Sequence, residues 1–556
     1  MVPAVSRLER FSWLPPLLAS LVTAVGSLGN RFTNDDDVLI ANNPFVHDTS
    51  HLIENLTRDY FYSASTAAIG YYRPFTKLAF VLEYQLFGAN PFGYHVISAL
   101  WHVACVLMGY ALLRRLSFVA PVAAIAATFF AVHPAQGESL GIIASRSDIT
   151  VTFGTFAALW GYVSYRTTNA RRYLAIALLA ETFALGSKES GVGILALVFL
   201  WEIFAPGFRW RSLGSLRAAL WMLVPLGVYV AIRLALHIAP IATPDTHARS
   251  ARILAAAQLV FGFAARTLVP TAWPPYVHAR FPDPNVALAA VAVVALVALA
   301  AASVLAIVRI PRARWAIALM WIPALPVLLP VFTAIHVSDD PRLLILSDRW
   351  VYPSALGAGA IWGVLAEAAW TRSPKTTVRA LLAVLALVWF SANALAARGE
   401  SSSFYDEPTR LRWVADALRE KGGLAPADEE YVWGADAMDA EIRGEWPRAT
   451  ELYRQLLERR PSDYSRRFNL ARALLAAGQR DVGLFQAYLT FEGRTPEGRR
   501  LPVNDSFFRH RSERAVLLAS AFESRGDDGN ARRYYASALH LDPANRVARE
   551  HIAALR

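Results

Sequence analysis

Apolar residues in this chain gather in long blocks, and the polar stretches between them carry a regular pattern of charge. Blocks such as 286–308 and 381–397 are almost wholly apolar. A run of roughly 18 or more such residues is long enough, as a helix, to cross the hydrocarbon core of a bilayer. The first block, 13–28, follows Arg7 and Arg10. No small-residue cleavage site follows it, so it reads as a retained signal anchor. Positive flanks mark the cytoplasmic side. Segments 93–113, 149–165, 192–204, 286–308 and 350–370 run inward, each ending at an arginine-rich or mixed basic cluster, for example Arg114-Arg115, Arg209/Arg211/Arg217 and Arg372/Lys375/Arg379. Segments 118–132, 173–187, 220–237, 315–335 and 380–397 run outward. If 253–269 also spanned, every later basic cluster would fall outside, so it is read as an interfacial or re-entrant helix. The sum is about eleven spans with a cytoplasmic N-terminus. The outer loops 35–77, 134–148, 237–285 and 336–349 then share one extracytoplasmic compartment.

From about residue 401 the pattern changes to charged, amphipathic helices. Ala437, Gly444, Ala449, Tyr453 and Pro461 fall at relative positions 8, 15, 20, 24 and 32, and Ala519, Gly526, Ala531, Tyr535 and Pro543 fall at the same positions. Ala471 and Gly478 keep two of these positions in a degenerate middle copy. Small residues let two antiparallel helices approach, Gly allows the tight turn, and Pro ends the second helix. This resembles the tetratricopeptide repeat, of roughly 34 residues. The expected organisation is an all-α membrane domain over 1–400, followed by an extracytoplasmic α-solenoid over 401–556 with about three repeats. An unrelated helical-hairpin bundle is the alternative for the tail.

Composition narrows the class. The chain is 55% hydrophobic and 18% charged, too few charges for an ordinary soluble domain. Its net charge of +11 does not argue for nucleic acid, because the basic residues sit largely at the ends of apolar runs and in the tail. The single cysteine, Cys105, lies in an apolar run, so no intrachain disulfide is possible. The Ala- and Arg-rich composition points to a bacterial inner membrane.

Ionisable residues at the membrane are costly and default to functional candidates. The outer loops hold the acidic triplet Asp35, Asp36 and Asp37, then Tyr72-Arg73-Pro74, His133-Pro134 with Glu138, Arg146 with Asp148, Lys188-Glu189, and Asp348-Arg349 leading to Tyr352-Pro353-Ser354. Each has a plainer reading. The triplet is also a helix N-cap, Arg73 an interfacial anchor, His133-Pro134 a helix end, Lys188-Glu189 a self-neutralising pair, and Arg349 a partner for Asp348. Together they put carboxylates and cations on one side of the membrane, as a site for an anionic lipid-linked substrate requires. Cations hold a phosphate, and a carboxylate deprotonates an acceptor hydroxyl.

In this order the motifs resemble the transmembrane and tetratricopeptide-repeat protein O-mannosyltransferase family, and the membrane half is similar to other GT-C glycosyltransferases. The elements are Asp35-Asp36 with Asn43 downstream, Tyr72-Arg73-Pro74, Tyr94-His95 with His102, His133-Pro134 with Glu138, Arg146 and Asp148, Lys188-Glu189, and Arg349 before Tyr352-Pro353-Ser354. The tail departs from the family in having three units, one of them eroded.

The resemblance implies a GT-C fold and a polyprenyl-phosphate sugar donor, typically mannose, with inverting transfer on the extracytoplasmic face. Asp35 or Asp36 is then the general base. Arg349, with Arg73 or Lys188, holds the donor phosphate. Glu138, His133, Arg146, Asp148, Glu189 and Tyr352 orient the acceptor, the sugar or the site. A divalent Mg or Mn on Asp35, Asp36 and Glu138 is compatible with hard oxygen ligands. A protein or peptide partner would use the tetratricopeptide domain. The competing readings are a GT-C enzyme acting on a glycolipid or polysaccharide, a non-catalytic tetratricopeptide membrane scaffold, and a transporter. A transporter predicts charges buried mid-helix and an internal repeat in the membrane half.

Overall fold

A computed structural model describes residues 10–62, 70–204, 213–238, 249–270, 276–280, 285–328, 343–373, 375–421, 426–461, 463–499, 511–541 and 545–555. The flanks Arg7, Arg209 and Arg211 and the repeat residue Pro543 lie outside the described residues. The chain forms two compact units: 1–36, 52–60 and 70–406, and 37–51, 61–69 and 407–556.

The first unit is built of helices. In chain order the longer ones are α1 (Leu14–Ala24), α2 (Pro74–Phe87), α3 (Pro91–Arg115), α4 (Ala120–Val132), α5 (Gln136–Gly141), α6 (Arg146–Thr168), α7 (Arg171–Ser187), α8 (Gly193–Phe204), α9 (Leu223–Ala235), α10 (Arg249–Leu268), α11 (Val286–Arg309), α12 (Pro311–Trp321), α13 (Ala355–Arg372) and α14 (Thr376–Ser403). Among the described residues, four helices are long and apolar enough to cross a membrane: Pro91–Arg115, Arg217–Ala235, Val286–Arg309 and Thr376–Ser403. The stretches Leu14–Ser27 and Ala120–Val132 are shorter apolar helices. Several other expected spans form helices that are shorter or carry more charge. α11 leaves Val291, Val294, Val297 and Val308 exposed along its length, as a helix facing lipid does. The chain is a multi-pass membrane protein.

Small residues bring the central helices together, because association inside a bilayer depends on close packing. A Cβ added at Gly154 of α6 would lie 2.8 Å from the Ala184 Cβ of α7, and one at Gly359 of α13 would lie 2.5 Å from the Ala126 carbonyl oxygen of α4. Phe130, Phe156, Leu159, Tyr162, Leu197, Leu319, Tyr352 and Leu356 fill the core between them. α10 joins this core through Ala255, Ala256, Leu259 and Phe263.

Helix dominates, as the sequence pattern leads one to expect. An unforeseen element is a two-stranded antiparallel ribbon in two of the loops between helices. β1 (Tyr276–Arg280) pairs with β2 (Leu343–Ser347) in a register that sets Tyr276 opposite Ser347. This ribbon delivers the chain directly to Asp348 and Arg349.

In the second unit, among the described residues, eight helices between Glu407 and Ala554 pack each on the next. Ala437, Ala449, Tyr453, Ala471, Ala519, Ala531 and Tyr535 are buried at their interfaces. The turn glycines Gly444, Gly478 and Gly526 have φ of 72°, 77° and 79°. This left-handed backbone is open to Gly at no steric cost. Asp37 opens a short π-helical turn, Asp37–Ala41, in this unit, and the Asn43 side chain caps Pro44–His47 by accepting from the Phe45 N–H.

Candidate functional site

The acidic triplet is divided by its surroundings. Asp35 and Asp37 are half-buried, whereas Asp36 is fully buried. Asn34, just before them, has a left-handed φ of 54°. Asp36 Oδ1 accepts the Ala144 N–H at 2.6 Å, and its Oδ2 accepts the N–H groups of Ile143 at 3.1 Å and Thr33 at 3.3 Å. Burial pushes this carboxyl up to about 8, against the three amide donors, which favour the ionised form.

Arg73 lies at the start of α2, turned there by Pro74. Its Nε donates to Glu189 Oε2 at 3.0 Å, and the Tyr72 N–H donates to Glu189 Oε1 at 3.0 Å. The Arg73 guanidinium also lies over the rings of Tyr60 and Tyr71, at 4.9 and 4.7 Å from their centroids. Glu189 thus fixes both the main chain and the side chain of this motif, and two aromatic faces hold the cation. Lys188, at the end of α7, donates to Asp148 Oδ1 at 2.5 Å. Burial, opposed by Asp148, lowers its ammonium to about 8.

Glu138 sits on α5, the short helix after His133-Pro134. Gly137 and Gly141 let α5 lie against the end of α14: a Cβ at Gly137 would be 2.6 Å from the Glu400 Cβ. Its carboxylate accepts the Ser347 hydroxyl at 2.5 and 2.6 Å and the Arg349 N–H at 2.9 Å, and the Arg349 Nε stands 3.8 Å away. Arg349 Nη1 donates to Ser145 Oγ at 3.2 Å. Glu138 therefore orients Arg349 through main chain and side chain, while 28% of the arginine side chain stays exposed.

These groups form one neighbourhood. Tyr60 lies in the fields of Arg73, Asp35, Asp36 and Arg349. Tyr71 lies in those of Arg73, Glu189, Arg349 and Asp35. Lys188 feels Asp148, Arg73 and Arg349. Asp35, Arg73, Asp148, Lys188, Glu189 and Arg349 come from separate segments, and the fields of Arg73, Arg349 and Asp35 reach both Tyr60 and Tyr71.

Other candidates go elsewhere. Arg146 is sealed at the start of α6, paired with Glu83 of α2 and donating to Ser98 Oγ at 2.9 Å and the Tyr94 carbonyl at 2.8 Å. The His133 Nε2–H donates to the Arg266 carbonyl at 3.1 Å, and its Nδ1 accepts the Ala135 N–H at 3.2 Å. Burial lowers His133 to about 3, so the ring is neutral. Tyr352 shares a hydrogen bond of 2.7 Å with His102 Nδ1 in the core. Asp36 and Glu138 are already filled by amide, hydroxyl and guanidinium donors. Among the described residues, no three His, Cys, Asp or Glu side chains gather as a metal ion would need.

Sequence reading missed Tyr60, Tyr71, Ser145, Ser347, Glu83 and Arg266. Arg266 of α10 pairs with Asp348, next to Arg349. An arginine in an otherwise apolar helix and a tyrosine beside Tyr72-Arg73 were available signals; nothing local marks Tyr60 or Ser145. The reading also passed over Glu181 in the middle of α7, which is fully buried with neither carboxyl oxygen hydrogen-bonded among the described residues.

No family model matches the chain. It is 29% identical over 191 residues to a protein O-mannosyl-transferase of Caenorhabditis elegans, covering 34% of this chain and 27% of that one. It is 27% identical over 233 residues to protein O-mannosyl-transferase TMTC1 of Mus musculus, covering 38% and 25%. Against TMTC4 of Homo sapiens it is 29% identical over 228 residues, covering 35% and 30%. The chain thus spans about a quarter of the length of the first two. The resemblance to this family, expected from the motifs, is shown by these relatives, all named as glycosyltransferases. Among solved structures, ArnT from Cupriavidus metallidurans bound to undecaprenyl phosphate is similar at TM-score 0.40 and 16% identity, over 94% of this chain and 79% of that one. The apo oligosaccharyltransferase of Archaeoglobus fulgidus is similar at TM-score 0.43 and 16% identity, over 77% and 60%.

Proposed function

We propose that the chain is an integral-membrane GT-C-type glycosyltransferase. It moves a sugar, mannose, from a polyprenyl-phosphate donor to a protein Ser or Thr hydroxyl on the extracytoplasmic face. The observation that carries this reading is the convergence of one half-buried carboxylate, Asp35, with three cations, Arg73, Lys188 and Arg349, at outer loops. The names of the relatives support the sugar and the acceptor.

In this reading Asp35 takes the proton of the acceptor hydroxyl. The acceptor oxygen bonds to the anomeric carbon from the face opposite the phosphate, so configuration inverts. The bond from that carbon to the phosphate oxygen breaks, and the polyprenyl phosphate leaves as an anion held by Arg349, with Arg73 and Lys188 beside it. Glu138 and Glu189 act on substrate only through the arginines they orient. Asp36, with its lone pairs committed to amides, is assigned no proton transfer. A weak base suffices because the centre attacked is oxocarbenium-like. The tail is read as a tetratricopeptide array that presents or holds a protein partner. The N-terminus is assigned to the cytoplasm and the array to the outer compartment of a bacterial inner membrane.

The test is transfer of radiolabelled mannose from a short-chain polyprenyl-phosphate mannose to a Ser/Thr-containing peptide by the purified full chain. Transfer is expected, and Asp35→Asn is expected to lower it by roughly 100- to 10,000-fold. Full activity in Asp35→Asn would remove the base from this reading. Transfer to a glycolipid but not to any peptide would favour the alternative acceptor.

A further inference from the structure

Resting on that reading, we propose that Asp36 is a positioning residue that fixes the separation between the acceptor's base and the donor's phosphate cation. The chain of contacts is short and continuous. Asp35 precedes Asp36. The Asp36 carboxylate accepts the N–H groups of Ile143 and Ala144 across more than 100 residues of sequence. The next residue, Ser145, accepts from the Arg349 guanidinium. A third donor, the Thr33 N–H, closes the acidic loop on itself. One carboxylate thus joins the loop that carries the base to the turn that touches the phosphate cation.

Geometry separates this role from that of a base. Asp36 is 0% exposed, and three amide donors occupy it. Taking a proton from an acceptor would require it to release them. Asn in its place would keep one acceptor oxygen but turn an NH2 group towards an amide N–H. A loop shift of about 1 Å is enough to cost on the order of 100-fold in rate.

Three variants of the full chain decide this: Asp36→Asn, Asp35→Asn and Ile143→Pro. Ile143 opens a 3-10 turn after the extended Ile142. Proline suits the backbone of that position and removes the amide donor, together with the buried Ile143 side chain, while leaving Asp36 in place. Asp36→Asn is expected to lower kcat by roughly 100-fold, with donor KM nearly unchanged and the acid limb of the wild-type pH profile retained. Asp35→Asn is expected to flatten the acid limb of that profile. Ile143→Pro should lower kcat by roughly 10-fold, the loss of one buried hydrogen bond. Hydrogen exchange at Thr33, Ile143 and Ala144 should quicken in Asp36→Asn whether or not a sugar is transferred. Unchanged exchange, full activity in either clamp variant, or a flattened acid limb in Asp36→Asn would overturn the proposal. If Asp36→Asn does not fold, as judged by thermal melting, Ile143→Pro decides alone. Absence of transfer by the wild-type chain defeats the functional reading instead, and hydrogen exchange then decides the clamp.

Discussion

Arg146 and Arg349 are the same residue type in the same unit, and each has a glutamate partner. Arg146 has 2% of its side chain exposed and is bonded to Glu83, Ser98 and the Tyr94 carbonyl. Arg349 has 28% exposed, stands 3.8 Å from Glu138 and donates to Ser145 Oγ at 3.2 Å. The difference separates two uses of charge in a membrane protein. A sealed pair repays its desolvation with strong mutual contacts and holds helices in place. A partly exposed cation can still be reached by a group that arrives later. Presence of an arginine in a loop between helices does not say which it is; exposure does.

That comparison breaks most sharply at the sealed pair. Arg146→Met leaves the Glu83 carboxylate buried without its cation, and should cost about 3–5 kcal/mol, read as a large drop in melting temperature of the detergent-solubilised chain. Activity per folded molecule should keep its pH profile. If Arg146→Met melts like the wild type, the pair is not structural.

At the open cation the order of effects reverses. Arg349→Ala should barely move the melting temperature but lower kcat/KM by roughly 100- to 1,000-fold, the typical loss for one donor to a developing anion. Arg349→Lys should recover part of it, because a lysine cannot fork. A large thermal shift with little kinetic effect would place Arg349 in the sealed class.

Lys188 lies between the classes, buried yet beside Arg73 and Arg349. Its ordinary value of 10.5 falls to about 8 through burial. Between those values the unfolded chain binds more protons than the folded one, so this group's contribution to stability rises with pH. Donor binding moves the other way, because the positive charge offered to phosphate is lost above about pH 8. Donor KM should rise by up to about 10-fold between roughly pH 7 and 9, and Lys188→Arg should remove that rise. A flat KM in the wild type would exclude Lys188 from the phosphate site. The smallest effect belongs to the half-exposed pair of Arg312 and Glu367, 3.2 Å apart: Glu367→Ala should change stability by less than about 1 kcal/mol.

Much of this arrangement could be read locally. The apolar blocks and their basic flanks foretold helices and their order. The repeat spacing in the tail foretold where glycine takes the left-handed backbone and where alanine is buried. Asp35, Arg73, Lys188, Glu189 and Arg349 stood out because charged residues at membrane helix ends are expensive. The ribbon of β1 and β2 was not legible, since its pairing joins segments more than 60 residues apart. Nor were Glu83 as the partner of Arg146, Ser145 beneath Arg349, or the division of labour between adjacent aspartates.

By itself the sequence determined which segments are helical, which are apolar enough to lie in a bilayer, and which residue types stand in the loops between them. These follow from hydropathy and charge summed over short windows. Only the tertiary structure decided that Asp36 is enclosed by the amides of Ile143 and Ala144 while Asp35 stays half-open, and that Arg146 is sealed while Arg349 is reachable. The acidic run that looked like one motif is two groups with different surroundings. The reason is physical: accessibility and hydrogen-bond commitment depend on which distant backbone arrives beside a side chain, and no local pattern encodes that arrival.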